Sequence, residues 1–179
     1  VVVGGGYGVA PVVPIARALA EAGNRVVAIN GARTKEAVIL VDELKKFCER
    51  VEICTDDGTL GHHGMVTSVL ETLLDEYGRV DFVLAIGPAP MMRAVANMTK
   101  PLAIPTMVSL TPIMVDGTGM CGGCRVDVGG ERKFACVDGP EFDGHLVDFD
   151  MLMARQKVYR EFEGEARLQY EHSCKLNGK

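Results

Sequence analysis

Four of the five residues from Gly4 to Gly8 are glycine, and this run lies between a short apolar segment and a helical pattern. Glycine permits positive φ and lets backbone N–H groups come close to a ligand. A helix after such a turn directs its positive end to the same place, which favours a phosphate. We therefore expect a strand–turn–helix unit that binds a pyrophosphate, with a tight turn that binds no ligand as the alternative. The expected contact residues are Gly4, Gly6, Tyr7, Gly8 and Pro11.

The first 110 residues alternate short apolar runs with helical patterns. Apolar, β-branched runs predict strands at residues 1–3, 25–30, 51–54, 81–86 and 104–110. The segments between them predict helices at residues 11–22, 35–47, 65–77 and 88–98. Strands that alternate with helices of this length are typical of a parallel sheet covered on both faces. We expect an α/β fold with a five-stranded parallel sheet over residues 1–110.

Residues 111–146 differ in composition, since they hold eight of the 21 glycines and three of the six cysteines. Residues 125–128 and 133–137 predict a small hairpin around two glycines. A segment with so little apolar area to bury needs a further source of stability, and a bound metal would supply it. We expect a small metal-binding lobe here, followed over residues 147–179 by a C-terminal helix and a tail.

The spacing of the cysteines indicates which metal group this lobe binds. Plant-type [2Fe–2S] proteins use C-x4-C-x2-C and a distant fourth cysteine. This sequence has D-x4-C-x2-C-x11-C, with an aspartate in the first position. The expected ligands of a [2Fe–2S] cluster are therefore Asp116, Cys121, Cys124 and Cys136. A structural zinc site is the alternative, because C-x2-C with a third cysteine also suits tetrahedral zinc.

Charge and composition exclude several classes of function. The net charge is −5 and no basic stretch stands out, which argues against a nucleic-acid partner. No apolar run is long enough to span a bilayer, so no membrane partner is expected. The sequence begins within an apolar segment and carries no signal peptide, so we expect a cytoplasmic protein and a fragment of a longer chain.

Charged residues after the second and third predicted strands bear on the choice of nucleotide. Carboxylates accept hydrogen bonds from ribose hydroxyls and repel a 2′-phosphate. Asp56 or Asp57 would therefore favour NAD over NADP, with a solvated turn as the alternative. Arg33 is positioned to neutralise a diphosphate or to remain a solvated loop residue.

The GxGxGxxP pattern of the glycine run resembles the nucleotide motif of the ferredoxin–NADP reductase superfamily. A second match follows the fourth predicted strand, where residues 87–91 read GPAPM and the superfamily carries CGPxPM next to the nicotinamide. Ile86 stands here in the position of that cysteine. The resemblance implies that Gly87, Pro88 and Met91 also contact the cofactor.

Residues 108–150 resemble the iron–sulfur electron-transfer subunits related to that of dihydroorotate dehydrogenase. Within them, the branch of the small subunits of NADH-dependent reduced ferredoxin:NADP oxidoreductases has an aspartate as the first cluster ligand. The resemblance implies an oxidoreductase fragment that moves electrons between NAD(H), FAD and a [2Fe–2S] cluster, to or from a larger flavin and iron–sulfur subunit. It also implies an FAD-binding β-barrel upstream of Val1, without which the fragment would not be active, and no side chain acting as a general acid or base.

Two other functions remain open at this point. One is a nucleotide-binding module without catalytic activity that carries structural zinc. The other is the electron-transfer subunit of dihydroorotate dehydrogenase itself.

Overall fold

A computed structural model describes the backbone of residues 1–176. The strands are β1 Val2–Gly5, β2 Val27–Ala32, β3 Arg50–Thr55, β4 His62–His63, β5 Val83–Ile86, β6 Thr106–Ser109, β7 Arg125–Val128, β8 Glu131–Phe134 and β9 Glu141–Asp143. The α-helices are α1 Val9–Glu21, α2 Val41–Lys45, α3 Val66–Tyr77, α4 Ala89–Thr99, α5 Ala135–Asp138, α6 Phe149–Gln156 and α7 Arg160–Leu176.

The main sheet has the strand order β4-β3-β2-β1-β5-β6-β9. All its pairings are parallel except that of β9, which runs antiparallel to β6. From β1 the chain builds outward through β2, β3 and β4 on one side and then crosses to β5 on the other. The carboxyl ends of β1 and β5 therefore meet at a topological switch point, which is where open α/β sheets bind ligands.

Helices cover both faces of this sheet. On one face the buried side chains include Val12 and Ala16 of α1 and Leu44 of α2. On the other face they include Leu70 of α3 and Met92 of α4. The expected α/β fold with a mostly parallel sheet and helices on both faces is thus confirmed.

The expected number of five strands is wrong, because the sheet has seven. The five predicted strands are present, and β4 and β9 extend the sheet at its two edges. β4 has two residues and pairs with the end of β3, so it carries no apolar pattern to find. β9 pairs with β6 only because the chain returns from the cysteine segment to the sheet.

The predicted helix over residues 35–47 is also wrong in its extent. A short 3-10 turn covers Lys35–Ala37, and α2 has only five residues. Leu40, between the two, has a φ of 58°, in the left-handed region. A leucine there cannot continue a right-handed helix, so the apolar period spans two short elements.

The segment after β6 forms a lobe that shares the core of the sheet. β7 and β8 form a hairpin as expected, and its turn residues Gly129 and Gly130 both have positive φ, as a tight hairpin turn requires. The second strand is Glu131–Phe134 and not residues 133–137, because the chain turns into α5 at Ala135. The buried Cys124 and Val126 belong to the same apolar cluster as α4. Two helices, α6 and α7, follow in place of the single predicted helix. No helix within the described residues has the length and apolar character needed to cross a membrane.

Candidate functional site

Two adjoining cavities, of about 380 and 710 Å³, lie at the carboxyl ends of β1 and β5. We call them together the glycine cleft, since both are lined by Gly5, Gly6, Arg33 and Pro88. The cleft is at the switch point of the sheet, so its position follows from the strand order. Volumes of this size suit a small-molecule ligand.

Part of the glycine run is required by packing alone. A Cβ on Gly4 would lie 2.9 Å from the Cα of Val9, and a Cβ on Gly8 would lie 2.2 Å from the carbonyl oxygen of Ile86. These two glycines therefore let the turn press against α1 and the end of β5. Gly6 differs, because its φ is 56° and a Cβ there would meet nothing within 4 Å. It faces open space in the cleft, where a ligand can approach the backbone.

The remaining expected contact residues of the first turn also surround the larger cavity. Tyr7 and Pro11 both line it, and the side chain of Tyr7 is 92% exposed. A large aromatic ring held in solvent beside a cavity provides a flat surface on which a ring system can stack.

The predicted Gly87-Pro88 segment forms the opposite wall of the cleft. A Cβ on Gly87 would lie 3.1 Å from the Cα of Gly5, so the two turns are in close contact. Met91, on the first turn of α4, lines the smaller cavity, and its sulfur would lie 2.4 Å from a Cβ on Gly5. The structure thus brings both glycine segments to one site.

The two candidate carboxylates have different surroundings. Asp56 lines the smaller cavity with Arg33. Asp57 does not line either cavity, and its Oδ1 accepts hydrogen bonds from the backbone N–H of Thr59 at 3.0 Å and from the Thr59 hydroxyl at 2.6 Å. These bonds hold the pKa of Asp57 below its ordinary value. Asp56 is therefore the carboxylate available to a ligand, while Asp57 stabilises its own turn.

Among the cysteines whose side chains the structure describes, Cys124 and Cys136 are brought together by the fold. Their sulfurs are 3.2 Å apart and both are free thiols. Two thiolates on one tetrahedral metal with bonds of about 2.3 Å would be roughly 3.8 Å apart, so this pair is close to a shared-metal geometry. Burial opposes ionisation of Cys124, but hydrogen bonds from the Cys136 backbone and thiol lower its pKa. The bond to Cys124 and burial raise the pKa of Cys136.

The other two expected ligands lie apart from this pair. Cys121 is exposed, and its sulfur accepts a hydrogen bond from the backbone N–H of Gly123 at 3.4 Å. Asp116 accepts hydrogen bonds from the hydroxyl and backbone N–H of Thr118, which lower the pKa of its carboxyl. Among the described residues, no three acidic, histidine or cysteine side chains are grouped closely enough to hold a metal ion. The donors have the right chemistry for iron, but the structure assembles only one pair.

Two arginines that the sequence analysis did not single out contact the cysteine loop. The guanidinium of Arg125 donates to the carbonyl oxygen of Gly122 at 3.0 Å, and that of Arg155 donates to the carbonyl oxygen of Gly123 at 2.9 Å. Arg125 follows Cys124 directly, so its position in the sequence could have indicated a contact with the loop. Arg155 is more than 30 residues away, on α6, so only the fold reveals its contact.

Comparison with known proteins agrees with this geometry. Residues 2–97, more than half of the chain, match the family model of the oxidoreductase NAD-binding domain. The chain belongs to the oxidoreductase NAD-binding domain family. Residues 111–148 match the iron–sulfur cluster binding domain of dihydroorotate dehydrogenase B. An NAD-binding domain is thus followed by an iron–sulfur segment that contains all four expected ligands.

Individual relatives cover nearly the whole chain. It is 49% identical over 176 residues to a Thermotoga maritima homolog of the electron transfer subunit of NAD(+)-dependent dihydroorotate dehydrogenase B. It is also 49% identical over 170 residues to an uncharacterized protein of Clostridium beijerinckii. These alignments cover 98% and 94% of this chain but 61% and 57% of the relatives.

A solved structure extends the similarity to the fold. It comes from a study of flavin-based electron bifurcation by an NADH-dependent reduced ferredoxin–NADP oxidoreductase. The identity is 47% and the TM-score 0.84, over 94% of this chain and 60% of the other. The chain therefore spans about three-fifths of the length of these three proteins, and the expected resemblance is confirmed.

Proposed function

We propose that this chain is the nucleotide- and cluster-binding part of an electron-transfer subunit. It moves electrons between NAD(H), FAD and a [2Fe–2S] cluster, to or from a larger flavin and iron–sulfur subunit in the cytoplasm. Residues 1–110 serve as the NAD-binding domain, residues 111–146 as the cluster lobe and residues 147–179 as a C-terminal helix and tail.

One observation carries this proposal: the glycine cleft and the cysteine lobe are built on the same rigid elements. Thr111 lines the larger cavity and also begins the cysteine lobe. Its carbonyl oxygen accepts a hydrogen bond from the side chain of Gln156 on α6 at 3.1 Å. The lobe then returns to the sheet through β9 on β6. A nucleotide site and a cysteine lobe that are joined through the same strands suit electron transfer between the groups they would bind, whereas a structural zinc site needs no such connection.

For the nucleotide, we assign the pyrophosphate to the backbone of Gly6 at the start of α1, next to Arg33. Gly4 and Gly8 allow the close packing that forms this turn. Asp56 accepts the hydroxyls of the adenosine ribose and disfavours a 2′-phosphate. Tyr7, Pro11, Gly87 and Pro88 then surround the other end of the dinucleotide in the larger cavity, while Met91 contacts it from the smaller cavity that Asp56 also lines.

For the cluster, Cys124 and Cys136 would hold one iron and Asp116 and Cys121 the other. The loop from 116 to 121 must close towards the cysteine pair to complete this set. Three glycines in and next to this loop have positive φ: Gly117, Gly119 and Gly122. Other residues rarely adopt this backbone conformation, so the glycines are needed for the path of the loop. An ionised Asp116 is in the state that a ligand needs.

When bound, the flavin and the cluster supply the conversion of a hydride's electron pair into single electrons. The chain's own residues hold and orient these groups, and none acts as a general acid or base. A flavin domain is proposed because the relatives have about two-fifths of their length outside the alignment, and the solved neighbour is described as flavin-based.

The test is to prepare the protein anaerobically and measure iron, sulfide, visible absorption and EPR spectra. The proposal predicts about two irons per chain and an EPR signal on one-electron reduction. A colourless protein with one zinc per chain would overturn it.

The match of residues 111–148 favours one second candidate, the electron-transfer subunit of dihydroorotate dehydrogenase. Co-purification with a subunit that oxidises dihydroorotate would select that candidate.

A further inference from the structure

We propose that Arg125 and Arg155 form a guanidinium clamp that orients the Cys-Gly-Gly-Cys loop and raises the reduction potential of the cluster. The inference rests on the proposed function, because it concerns the cluster that the loop would hold. Both arginines are positioning residues: each contacts a backbone carbonyl of the loop and acts on the cluster through that contact and through its charge.

The first half of the clamp acts on the peptide between Gly122 and Gly123. Its carbonyl oxygen accepts the hydrogen bond of Arg125 at 3.0 Å. Its N–H, which belongs to Gly123, donates to the sulfur of Cys121 at 3.4 Å. In a trans peptide the carbonyl and the N–H point in opposite directions. By holding the oxygen, Arg125 therefore holds the N–H towards a ligand sulfur, where a hydrogen bond stabilises the more negative state.

The second half of the clamp acts on the next peptide. The carbonyl oxygen of Gly123 accepts the hydrogen bond of Arg155 at 2.9 Å, so the N–H of Cys124 is directed to the opposite side. The Nε of Arg155 is buried and has no hydrogen-bond partner. A buried donor without a partner is costly unless something else satisfies it. A negatively charged cluster beside the loop would interact favourably with this N–H group and so offset the free-energy cost of burying it.

The clamp also places two positive charges next to the cluster lobe. Within the part of the chain that the structure describes, neither Arg125 nor Arg155 is within ion-pair distance of a carboxylate, and each guanidinium donates to a loop carbonyl. The charge of Arg125 also acts on Asp127 and contributes to the lowered pKa of that carboxyl, so Arg155 is the less compensated of the two. Arg132, in the same lobe, is instead paired with Asp127 at 3.0 Å. Reduction adds one negative charge to an iron–sulfur cluster. Unpaired positive charge stabilises that state more than the oxidised one, and so do hydrogen bonds to sulfur.

The experiment measures the midpoint potential of the cluster by EPR-monitored redox titration of the loaded protein. Arg155→Gln removes the charge and, because the glutamine side chain is two bonds shorter, also removes the hydrogen bond to Gly123. We expect its reduced-to-oxidised ratio at a fixed solution potential to fall about tenfold, a shift of about 59 mV to more negative values for a one-electron couple. Arg155→Lys keeps the charge, and we expect it to retain most of the wild-type potential. Arg125→Gln should also shift the potential downward.

Arg132→Gln is the matched control, since it removes an arginine charge from the same lobe without touching the loop. We expect its potential to equal that of the wild type. Equal potentials for the wild type and Arg155→Gln, or equal downward shifts in Arg132→Gln and Arg155→Gln, would overturn the clamp. If Arg155→Gln does not retain its cluster, Arg155→Lys decides, and a potential far below that of the wild type overturns the role of the charge. Loss of the cluster from both variants also overturns it, leaving a purely structural role. A wild-type protein without any cluster signal would instead refute the proposed function.

Discussion

The carbonyl oxygen of Ile86 lies 2.2 Å from the point that a Cβ on Gly8 would occupy. The turn after β1 is therefore in direct backbone contact with the end of β5, and this contact closes the floor of the glycine cleft. The contact is between main-chain atoms, so no side-chain rotation can relieve a clash there. The cleft depends on Gly8 for its shape and not only for a ligand's approach.

We therefore expect Gly8→Ala to destabilise the fold by about 3 kcal/mol, the upper end of what overpacking costs, and to weaken NADH binding. Gly6→Ala is the matched control for stability only, because a Cβ there meets nothing within 4 Å. Gly6 is the proposed pyrophosphate contact, so this variant should also bind NADH more weakly. Its strain from positive φ should cost about 1–2 kcal/mol. Thermal unfolding and calorimetry with NADH measure both effects. Equal stability of Gly8→Ala and the wild type would contradict the close contact.

Asp56 and Asp57 are neighbours, but we expect their replacement to have different effects. Asp56→Asn should reduce the preference for NADH over NADPH by about tenfold, or about 1.4 kcal/mol, because the repulsion of a 2′-phosphate is lost. Asp57→Asn should leave the preference unchanged and loosen the turn that Thr59 completes. Affinities for both nucleotides, measured by calorimetry, test this. A larger change of preference in Asp57→Asn would reverse the assignment.

The main sheet could be predicted from the sequence because its strands are short apolar runs separated by clear helical patterns. The five predicted strands are all in the sheet, and the cleft lies where the glycine run and the Gly87-Pro88 segment meet. The elements that the sequence analysis missed or misjudged are either very short or depend on contacts with the rest of the fold. β4 has two residues, and β9 exists only through its pairing with β6. Leu40 carries no sign of its left-handed backbone in its chemistry.

The candidate site divides in the same way. The cysteine spacing pointed to the segment that the iron–sulfur family model also matches, residues 111–148, because such spacing is local in sequence. Which residues bind the metal stays a prediction. The sequence did not reveal that Asp57 is engaged by Thr59, nor that Arg155 reaches the loop from α6. Such contacts depend on how the elements pack against one another. No pattern in the sequence indicates which residue an arginine on a distant helix will contact. The residues that tune a site are therefore harder to predict than those that ligate.

Cys136 is paired with Cys124, and its replacement should disrupt the cluster. A [2Fe–2S] protein holds about two irons per chain, and we expect Cys136→Ala to have an iron content well below that value. Cys48→Ala is the control, since Cys48 is buried among the side chains beneath α1 and α2, far from the lobe in sequence. It should keep its iron and lose about 1 kcal/mol of stability. Iron and sulfide assays decide, and normal iron in Cys136→Ala would exclude Cys136 as a ligand.

Cys54 lines the smaller cavity of the glycine cleft, and burial raises the pKa of its thiol to about 11. The nearby charge of Asp56 acts in the same direction. Since the thiolate is the reactive form, alkylation should rise about tenfold per pH unit from pH 8 to 10 and level off only near the pKa. Mass spectrometry of iodoacetamide-treated protein follows this residue, with glutathione as the reference thiol. A plateau below pH 9 would contradict the raised pKa.

Asp116 is the ligand candidate with the strongest competing explanation, because its hydrogen bonds with Thr118 already stabilise the loop. If it ligates iron, Asp116→Ala should change the EPR spectrum and weaken cluster retention, while Asp116→Cys should retain the cluster with an altered spectrum. Thr118→Val is the control, since it removes the hydroxyl bond and keeps the carboxylate. Its spectrum should match that of the wild type. An unchanged spectrum in Asp116→Ala would remove Asp116 from the ligand set. An equal change in Thr118→Val would show that the carboxylate acts only by holding its turn.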